Sequence, residues 1–167
     1  MFKGAAVVMG VAGCGKTSVG EALAARLGVA FTEGDSLHPA ENVKKMSAGI
    51  ALTDEDRWPW LTRVGQSLLG TTGHITSCSA LKRSYREHIV ASAGRPVAFV
   101  FLEGTPDLLA QRLAARTGHF MPSSLLASQL ATLERPAAGE RAAAFDIAQP
   151  VEAIAAAACT WLLQSEG

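Results

Sequence analysis

Near its amino terminus the chain carries a glycine-rich stretch that fits the pattern G-x-x-x-x-G-K-[ST], and this stretch constrains the fold most strongly. Gly10 and Gly15 are its two fixed glycines, and Lys16-Thr17 completes it. The apolar run at 5–9 predicts a buried strand before the stretch, and the residues from Lys16 onward predict a helix with one apolar face. Strand, loop and helix in this order are the context in which the pattern binds phosphate.

The residue types in this stretch suit a nucleoside triphosphate with its metal ion. Glycine lets successive backbone N–H groups turn inward around a polyphosphate, and the helix N-terminus adds its positive dipole end. Lys16 supplies a mobile charge for the β- and γ-phosphates, and the Thr17 hydroxyl is the expected ligand of Mg²⁺. The predicted ATP-binding residues are Gly10, Val11, Ala12, Gly13, Cys14, Gly15, Lys16, Thr17 and Ser18. The alternative is a glycine-rich turn that binds nothing.

The composition favours one domain, 1–167, with a large core. The 167 residues are 49% hydrophobic and 18% charged, which suits a buried parallel sheet. Fifteen basic and fifteen acidic side chains cancel, so we expect neither a nucleic-acid partner nor a membrane partner. Cys14, Cys78 and Cys159 lack C-x-x-C spacing, and the chain shows no secretory segment, which predicts free thiols and a cytoplasmic location.

Five apolar runs with strand character alternate with stretches of helical periodicity. The runs lie at 5–9, 29–32, 74–78, 97–103 and 144–147. This alternation predicts an α/β fold with a parallel sheet. Thr53, Thr105 and Pro150 are predicted to open helices, and Pro59 is expected to divide a short first turn from a longer helix.

A polar stretch after the second predicted strand supplies the candidate catalytic carboxylate. It runs from Glu33 to Pro39, and the carboxyl ends of parallel strands should place it beside the phosphate-binding loop. Asp35 could accept the proton of an attacking hydroxyl or hold that hydroxyl toward the γ-phosphate. Alternatively, Asp35 is a turn residue that bonds its own backbone, and His38 serves in packing or capping.

Two candidate substrate-binding cations precede the third predicted strand. Arg57, next to two tryptophans, offers a planar fork that matches a substrate carboxylate. An ion pair with Asp54 or Asp56 is the alternative for Arg57. Lys45 belongs to a short predicted helix, where lysines are usually solvated.

Later cations come in pairs spaced four residues apart. Lys82 and Arg86 share a helix face that could bind an anion or face water. Arg112 and Arg116 precede a flexible-looking segment at 117–122. We interpret this region as a lid that closes over ATP and brings arginines to the transferring phosphoryl group.

Together these stretches resemble the bacterial-type gluconokinases, which belong with the shikimate kinases among the P-loop small-molecule kinases. The matching segments are Gly10 to Thr17, Glu33 to Pro39, Asn42 with Lys45-Met46, Gly49 and Leu52, Asp54 to Leu61, Cys78 to Arg86, Arg116 with Gly118 to Phe120, and Asp146-Ile147 with Gln149-Pro150. The G-D-x-L-H-P and C-S-A-L-K-x-x-Y-R patterns are far more specific to that family than the loop is.

The resemblance implies a three-layer P-loop kinase fold, with helices flanking a five-stranded parallel sheet and a small lid over approximately 116–135. It also implies ATP-dependent, Mg²⁺-dependent phosphorylation of D-gluconate to 6-phospho-D-gluconate, commonly by a homodimer. Carried over by position, the catalytic roles fall to Lys16, Asp35 and Arg116. Substrate contacts fall to Asp35, His38, Lys45, Arg57 and Lys82, and further nucleotide or lid contacts to Arg112 and Arg116.

Two other classes of protein are alternatives. A shikimate kinase, which acts on another small hydroxy acid, would share the fold and the Asp35 position. That family shows a glycine triplet after its third strand, where this chain has Cys78-Ser79-Ala80. A non-enzymatic nucleotide switch of the GTPase type would carry D-x-x-G and N-K-x-D elements, and the sequence contains neither.

Overall fold

The computed structural model describes residues 1–116 and 123–166, which are built around a five-stranded parallel sheet. The strands are β1 (Ala5–Met9), β2 (Ala30–Glu33), β3 (His74–Ser77), β4 (Val97–Glu103) and β5 (Ala142–Asp146). Their order across the sheet is β2-β3-β1-β4-β5, and each neighbouring pair is parallel. The predicted α/β fold with five parallel strands is confirmed, and the strand ends differ from the predicted ends by two residues or fewer.

Helices connect the strands and cover the sheet. They are α1 (Lys16–Leu27), α2 (Ala40–Ser47), α3 (Asp54–Ser67), α4 (Arg83–Ala93), α5 (Pro106–Ala115), α6 (Ser123–Thr132) and α7 (Val151–Ser165). α1 packs on α7, and α3 packs on α4, which gives the predicted three layers. Within residues 1–116 and 123–166, no helix is both long enough and apolar enough to cross a membrane.

The two central strands β1 and β4 are almost completely buried. Every residue of β1 is buried, and β4 is buried from Val97 to Leu102. Strands covered on both faces lose the alternation of apolar and polar residues, which explains why their sequences read as continuous apolar runs. Leu23 of α1, Leu61 of α3 and Ile89 of α4 are fully buried in the same core.

All five strands point the same way, so their carboxyl ends meet at one edge. The chain order reverses at β1, which has β3 on one side and β4 on the other. Val8 lies opposite Ser77 of β3 and Val100 of β4 in this register. The crevice at such a reversal is where open α/β sheets bind ligands, and the phosphate-binding loop follows β1 directly.

Side-chain caps define two of the predicted helix starts. The Thr53 hydroxyl accepts a hydrogen bond from the Asp56 N–H (3.2 Å), and the Asp56 carboxylate accepts one from the Thr53 N–H (2.9 Å). This reciprocal pair opens α3 with two of its backbone donors satisfied. Thr105 caps α5 with a single bond, in which its hydroxyl accepts from the Leu108 N–H (3.2 Å).

The prediction that Pro59 divides a helix is wrong, because α3 runs unbroken from Asp54 to Ser67. Pro59 lies in the second turn, where it removes one backbone hydrogen bond, to the carbonyl of Glu55. Both residues are exposed, so water can satisfy that carbonyl. On the inner face Trp60 and Leu61 are buried, and their packing holds the helix together.

The predicted lid at 116–135 is described only in part. α5 ends at Ala115, Arg116 follows it, and α6 begins at Ser123. The segment at 117–122, which includes the Gly118 to Phe120 match, lies outside the described residues. The lid and its movement therefore stay a prediction.

Candidate active site

The loop between β1 and α1 has the backbone shape that the glycine pattern predicts. Gly13 and Gly15 have φ of 84° and 90°, in the left-handed region that glycine adopts without strain. Lys16 Nζ donates to the carbonyl oxygens of Gly10 (3.0 Å) and Val11 (3.1 Å), which holds the ammonium group against the loop. The charge is therefore already in place where phosphate is expected.

A hydroxyl–carboxylate network joins this loop to the ends of β2 and β3. The Thr17 hydroxyl donates to one oxygen of the Glu33 carboxylate, and the Ser77 hydroxyl donates to the other oxygen (2.7 Å). Ser77 also accepts from the Gly34 N–H (3.1 Å). Hydroxyl and carboxylate oxygens are the hard donors that Mg²⁺ prefers, so Thr17 with Glu33 beside it fits the predicted metal role.

Asp35 lies on a one-turn 3₁₀ helix, Gly34–Leu37, which directly follows β2. A Cβ on Gly34 would collide with the carbonyl oxygen of Ser77, so only glycine lets this turn approach β3. The Trp60 indole N–H donates to the Gly34 carbonyl (2.8 Å) and fixes the turn from the other side. Asp35 is thus held by its backbone, at a place set by two other elements.

The Asp35 carboxylate faces a cavity that also reaches the phosphate-binding loop. Gly13, Lys16, Asp35 and Arg57 all line this cavity, which is called the site cavity below. The His38 N–H bonds to the Asp35 backbone carbonyl (3.4 Å), while the Asp35 side chain is exposed. The arrangement favours a ligand-binding Asp35 over a carboxylate that bonds its own turn.

His38 combines packing with access to the site cavity. Its ring stacks on Trp60, with centroids 4.0 Å apart and planes 16° apart, and it also lines the cavity. Burial lowers the pKa of His38 from its ordinary value of 6.5, with Asp35 opposing the shift, so the ring is neutral at pH 7. The Asn42 amide nitrogen lies 3.2 Å from Nδ1, and a donor there places the ring proton on Nε2. His38 can then donate one neutral hydrogen bond to a hydroxyl.

Two cations gather around one carboxylate beside the site cavity, and one of them, Arg57, lines it. Arg57 donates to the Tyr85 hydroxyl (3.0 Å), Tyr85 donates to the Asp54 carboxylate, and Lys82 Nζ lies 3.5 Å from the same carboxylate. Arg57 is 3.8 Å from Asp54, so the predicted alternative of an ion pair is present as a long contact. These four residues are called the Asp54 cluster below.

The Asp54 cluster carries one more positive charge than negative charge. Hydrogen bonding from Tyr85 lowers the pKa of Asp54, and Lys82 and Arg57 lower it further. Burial, with Asp54 adding to it, raises the pKa of Tyr85 to about 12. Asp54 is therefore ionised and Tyr85 is protonated at neutral pH, so two cations face one carboxylate. A second carboxylate would complete the balance.

Seven predicted site residues lie outside the lining of the site cavity. Four belong to the glycine-rich stretch, namely Gly10, Val11, Cys14 and Ser18, and three are the cations Lys45, Lys82 and Arg112. Lys45 pairs with Asp56 at 2.7 Å, and this hydrogen bond lowers the pKa of Asp56 to about 2. Lys82 does not line the cavity, and its Nζ contacts the Asp54 carboxylate of the Asp54 cluster. Arg112 donates to the backbone carbonyl of Ile147, whereas Arg116 lines the cavity together with residues of the loop.

The expectation that Arg86 binds an anion or faces water beside Lys82 is wrong. Its side chain is 1% exposed, and its guanidinium binds the Glu140 carboxylate at 2.6 and 3.1 Å. It also donates to the carbonyls of Ala80 (2.8 Å) and Glu134 (3.0 Å). Lys82 precedes α4, whereas Arg86 lies within it and points into the core, so the two side chains have different surroundings.

Sequence reasoning missed Gln129 as a site residue. Its side-chain oxygen accepts a hydrogen bond from the Ala12 N–H in the loop (2.7 Å), and Gln129 lines the site cavity. It is one of five polar residues on the ten-residue helix α6, so its presence there is no signal on its own. Its partner is 117 residues away, and no local pattern predicts such a contact.

Comparison with known proteins identifies the family. The family model described as shikimate kinase matches residues 12–153. A gluconokinase from Gluconobacter oxydans is 53% identical over 134 residues, which cover 78% of this chain and 75% of the relative. The chain belongs to the gluconokinase family. The thermosensitive gluconokinase of Escherichia coli is 46% identical over 140 residues, covering 81% of this chain and 74% of that protein.

A solved structure gives the same family. The crystal structure of a gluconokinase from Sinorhizobium meliloti matches with a TM-score of 0.91 and 54% identity, over 98% of this chain and 94% of that chain. As a member of the gluconokinase family the chain is an enzyme, a kinase that uses ATP. The comparisons give no support to a non-enzymatic nucleotide switch.

The turn after β3 places an alanine in a backbone conformation that favours glycine. Ala80 has a φ of 46°, in the left-handed region where glycine is favoured. The turn thus has the backbone shape expected of a glycine position, with alanine in it. Ala80 is fully buried, and Arg86 holds its carbonyl.

Proposed function

We propose that the protein transfers the γ-phosphoryl group of ATP to the terminal hydroxyl of D-gluconate, giving 6-phospho-D-gluconate and ADP for carbohydrate catabolism. The observation that carries the proposal is that one cavity is lined by the phosphate-binding loop, Asp35 and Arg57. The names of the relatives supply the acceptor, and the Asp54 cluster supplies a reason for an acid.

Phosphoryl transfer asks the protein mainly to align two molecules and to balance charge. The N–H groups of the loop and Lys16 hold the phosphates, and Arg116, which lines the same cavity, adds a positive charge near them. Thr17, with Glu33 beside it, would hold Mg²⁺, which neutralises part of the phosphate charge when bound. These roles all lie on the nucleotide side of the site.

Asp35 engages the acceptor hydroxyl. A bond forms between that oxygen and the γ-phosphorus while the bond from the γ-phosphorus to the β–γ bridging oxygen breaks, and ADP leaves with the bridging oxygen. The hydroxyl proton passes to the Asp35 carboxylate, which is exposed to receive it. His38 donates a neutral hydrogen bond to the acceptor and holds it beside Asp35.

The acid group of the acceptor binds at the Asp54 cluster. Gluconate carries its carboxylate at the end opposite the terminal hydroxyl, so a cation distant from Asp35 is needed. Arg57 lines the site cavity and offers the planar fork, and Lys82 adds charge behind it. Lys45 and Arg112 would have to release Asp56 or the Ile147 carbonyl before they could bind a ligand. The homodimer and the cytoplasmic location stay predictions.

An acceptor panel tests the proposal. ADP release is measured by a coupled assay with gluconate, glucose, shikimate and no acceptor, and we expect release to depend on gluconate. Lys16→Met is the control, because it removes the charge at the phosphates and leaves the core untouched. A higher kcat/KM for shikimate, or ATP hydrolysis that ignores the acceptor, would contradict the proposal.

A further inference from the structure

One side chain from α6 enters the phosphate-binding loop. The Gln129 side-chain oxygen accepts from the Ala12 N–H at 2.7 Å, which is a short and therefore well-formed amide hydrogen bond. Gln129 lies six residues after the start of α6, a helix that lies within the predicted lid at 116–135. The contact thus joins the lid region to the loop.

This contact fixes which way the amide of Gln129 points. A backbone N–H can only donate, so the atom facing Ala12 must be the oxygen, and the NH₂ group must face elsewhere. Among the described residues Nε2 makes no hydrogen bond, and none of their buried side-chain nitrogens or oxygens lacks a partner. The two N–H donors of Nε2 are therefore not used by any residue that the structure describes.

These donors belong to a residue that lines the site cavity. Gln129 lines it together with Lys16 on the phosphate side and Asp35 on the acceptor side. Under the proposed function, the γ-phosphoryl group must lie between these two residues, since it passes from one side to the other. A neutral NH₂ group fixed there meets the phosphate oxygens that gain charge during transfer.

We propose that Gln129 is a catalytic residue that contacts the γ-phosphoryl group of ATP through Nε2 while its oxygen holds the Ala12 N–H. This inference rests on the proposed phosphoryl transfer, and it adds a donor from α6 to those of the loop. The oxygen sets the direction of the NH₂ group, so the loop itself orients the donor. ADP, which has no γ-phosphate, does not receive this contact.

Two substitutions distinguish the donor function of Nε2 from the function of the side-chain oxygen, which tethers Gln129 to the Ala12 N–H. Gln129→Glu keeps the length and the acceptor for the Ala12 N–H, but it replaces the donor with a negatively charged oxygen. Gln129→Met keeps the length and removes both functions. Gln66→Glu, at an exposed position near the end of α3, is the control for the added charge.

Binding of ADP and of a non-hydrolysable ATP analogue is measured by calorimetry without acceptor. Since a hydrogen bond to a charged group is lost, we expect the affinity for the analogue to fall by about tenfold in Gln129→Met and by up to about a hundredfold in Gln129→Glu. The ADP affinity of Gln129→Glu should stay near that of the wild type and shows that the variant is folded. The kcat with gluconate should fall along with the analogue affinity.

Equal losses for ADP and the analogue, or wild-type binding of both by Gln129→Glu, would overturn the inference and leave Gln129 as a tether only. Because these measurements use no acceptor, they stand whether or not gluconate is the substrate. If shikimate replaced gluconate in the acceptor panel, the proposed function would fail, and the nucleotide result would still decide the role of Gln129.

Discussion

At the scale of single residues, Asp35 is the group on which the proposed transfer depends most. Ser77 and Trp60 fix its turn, and its carboxylate faces the site cavity. Asparagine keeps the size of the side chain but removes the proton acceptor. We therefore expect Asp35→Asn to lower kcat by about 10²–10⁴-fold while the KM for ATP changes little. Steady-state kinetics with gluconate measures both constants.

A matched carboxylate outside the cavity controls for the lost charge. Glu41 is exposed on α2, so Glu41→Gln should keep wild-type kinetics. A loss of less than about tenfold in Asp35→Asn would make Asp35 a turn residue and direct attention to Glu33. A change confined to the KM for gluconate would mean that Asp35 positions the bound acceptor and does no more.

The Tyr85 hydroxyl orients the guanidinium of Arg57 by accepting its hydrogen bond. It accepts from Arg57 and donates to Asp54, and a pKa of about 12 keeps it protonated throughout the usual assay range. Phenylalanine retains the ring that packs edge-on against Trp58 and loses only the oxygen. We expect Tyr85→Phe to raise the KM for gluconate by about tenfold, with a smaller effect on kcat.

Arg57→Lys is the companion variant, because it keeps the charge and loses the planar fork. It should raise the KM for gluconate at least as much as Tyr85→Phe does. If neither variant changes this KM, the acceptor carboxylate binds elsewhere and Lys82 becomes the candidate. The KM for ATP serves as the internal control in both variants.

At the scale of elements, α4 is fastened to the rest of the domain by Arg86. The guanidinium joins α4 to the turn after β3 and to the segment before β5 through Glu140. Methionine keeps much of the length but leaves the Glu140 carboxylate, which is 11% exposed, without its partner. We expect Arg86→Met to lower the free energy of unfolding by about 3–5 kcal/mol, measured by urea denaturation.

Arg83 on the same helix is the control for this substitution. It pairs with Glu87 at the surface, where both side chains are more than half exposed, so Arg83→Met should change the free energy of unfolding by less than about 1 kcal/mol. Equal losses in the two variants would contradict the role of the buried pair.

The Arg86 pair also predicts a dependence on pH. Hydrogen bonding from Arg86 lowers the pKa of Glu140 below its ordinary 4.5. A lowered pKa in the folded state means that the stabilisation is fully present above pH 4.5 and is lost as the pH falls through the folded value. The difference in unfolding free energy between wild type and Arg86→Met should therefore shrink below that pH. A constant difference would contradict this reading.

At the scale of the whole molecule, the features that could be predicted from the sequence are those determined by residues close together in the chain. The loop from Gly10 to Thr17, the five strands and the caps at Thr53 and Thr105 are each specified by a few consecutive positions. The edge where Asp35 approaches the loop follows from the parallel arrangement of the strands.

The features that could not be predicted from the sequence depend on contacts between residues that are far apart in the chain. The Gln129 contact with Ala12 and the Arg86 pair with Glu140 join positions 117 and 54 residues apart. The unbroken α3 depends on the burial of Trp60 and Leu61, which outweighs the local effect of Pro59. Tertiary packing decides such cases, and one-dimensional patterns do not contain it.

The attachment of α2 has a consequence for how this helix opens. Its one buried residue is Asn42, whose amide donates to the Asp56 carbonyl (2.9 Å), and Lys45 adds its pair with Asp56. Val43 and Met46 are already 47% and 41% exposed, so detaching α2 newly uncovers only part of these two apolar side chains. Denaturant sensitivity and heat-capacity change both scale with newly exposed surface. We therefore expect the free energy of opening α2 to depend less on urea than global unfolding does, and to vary with temperature with less curvature.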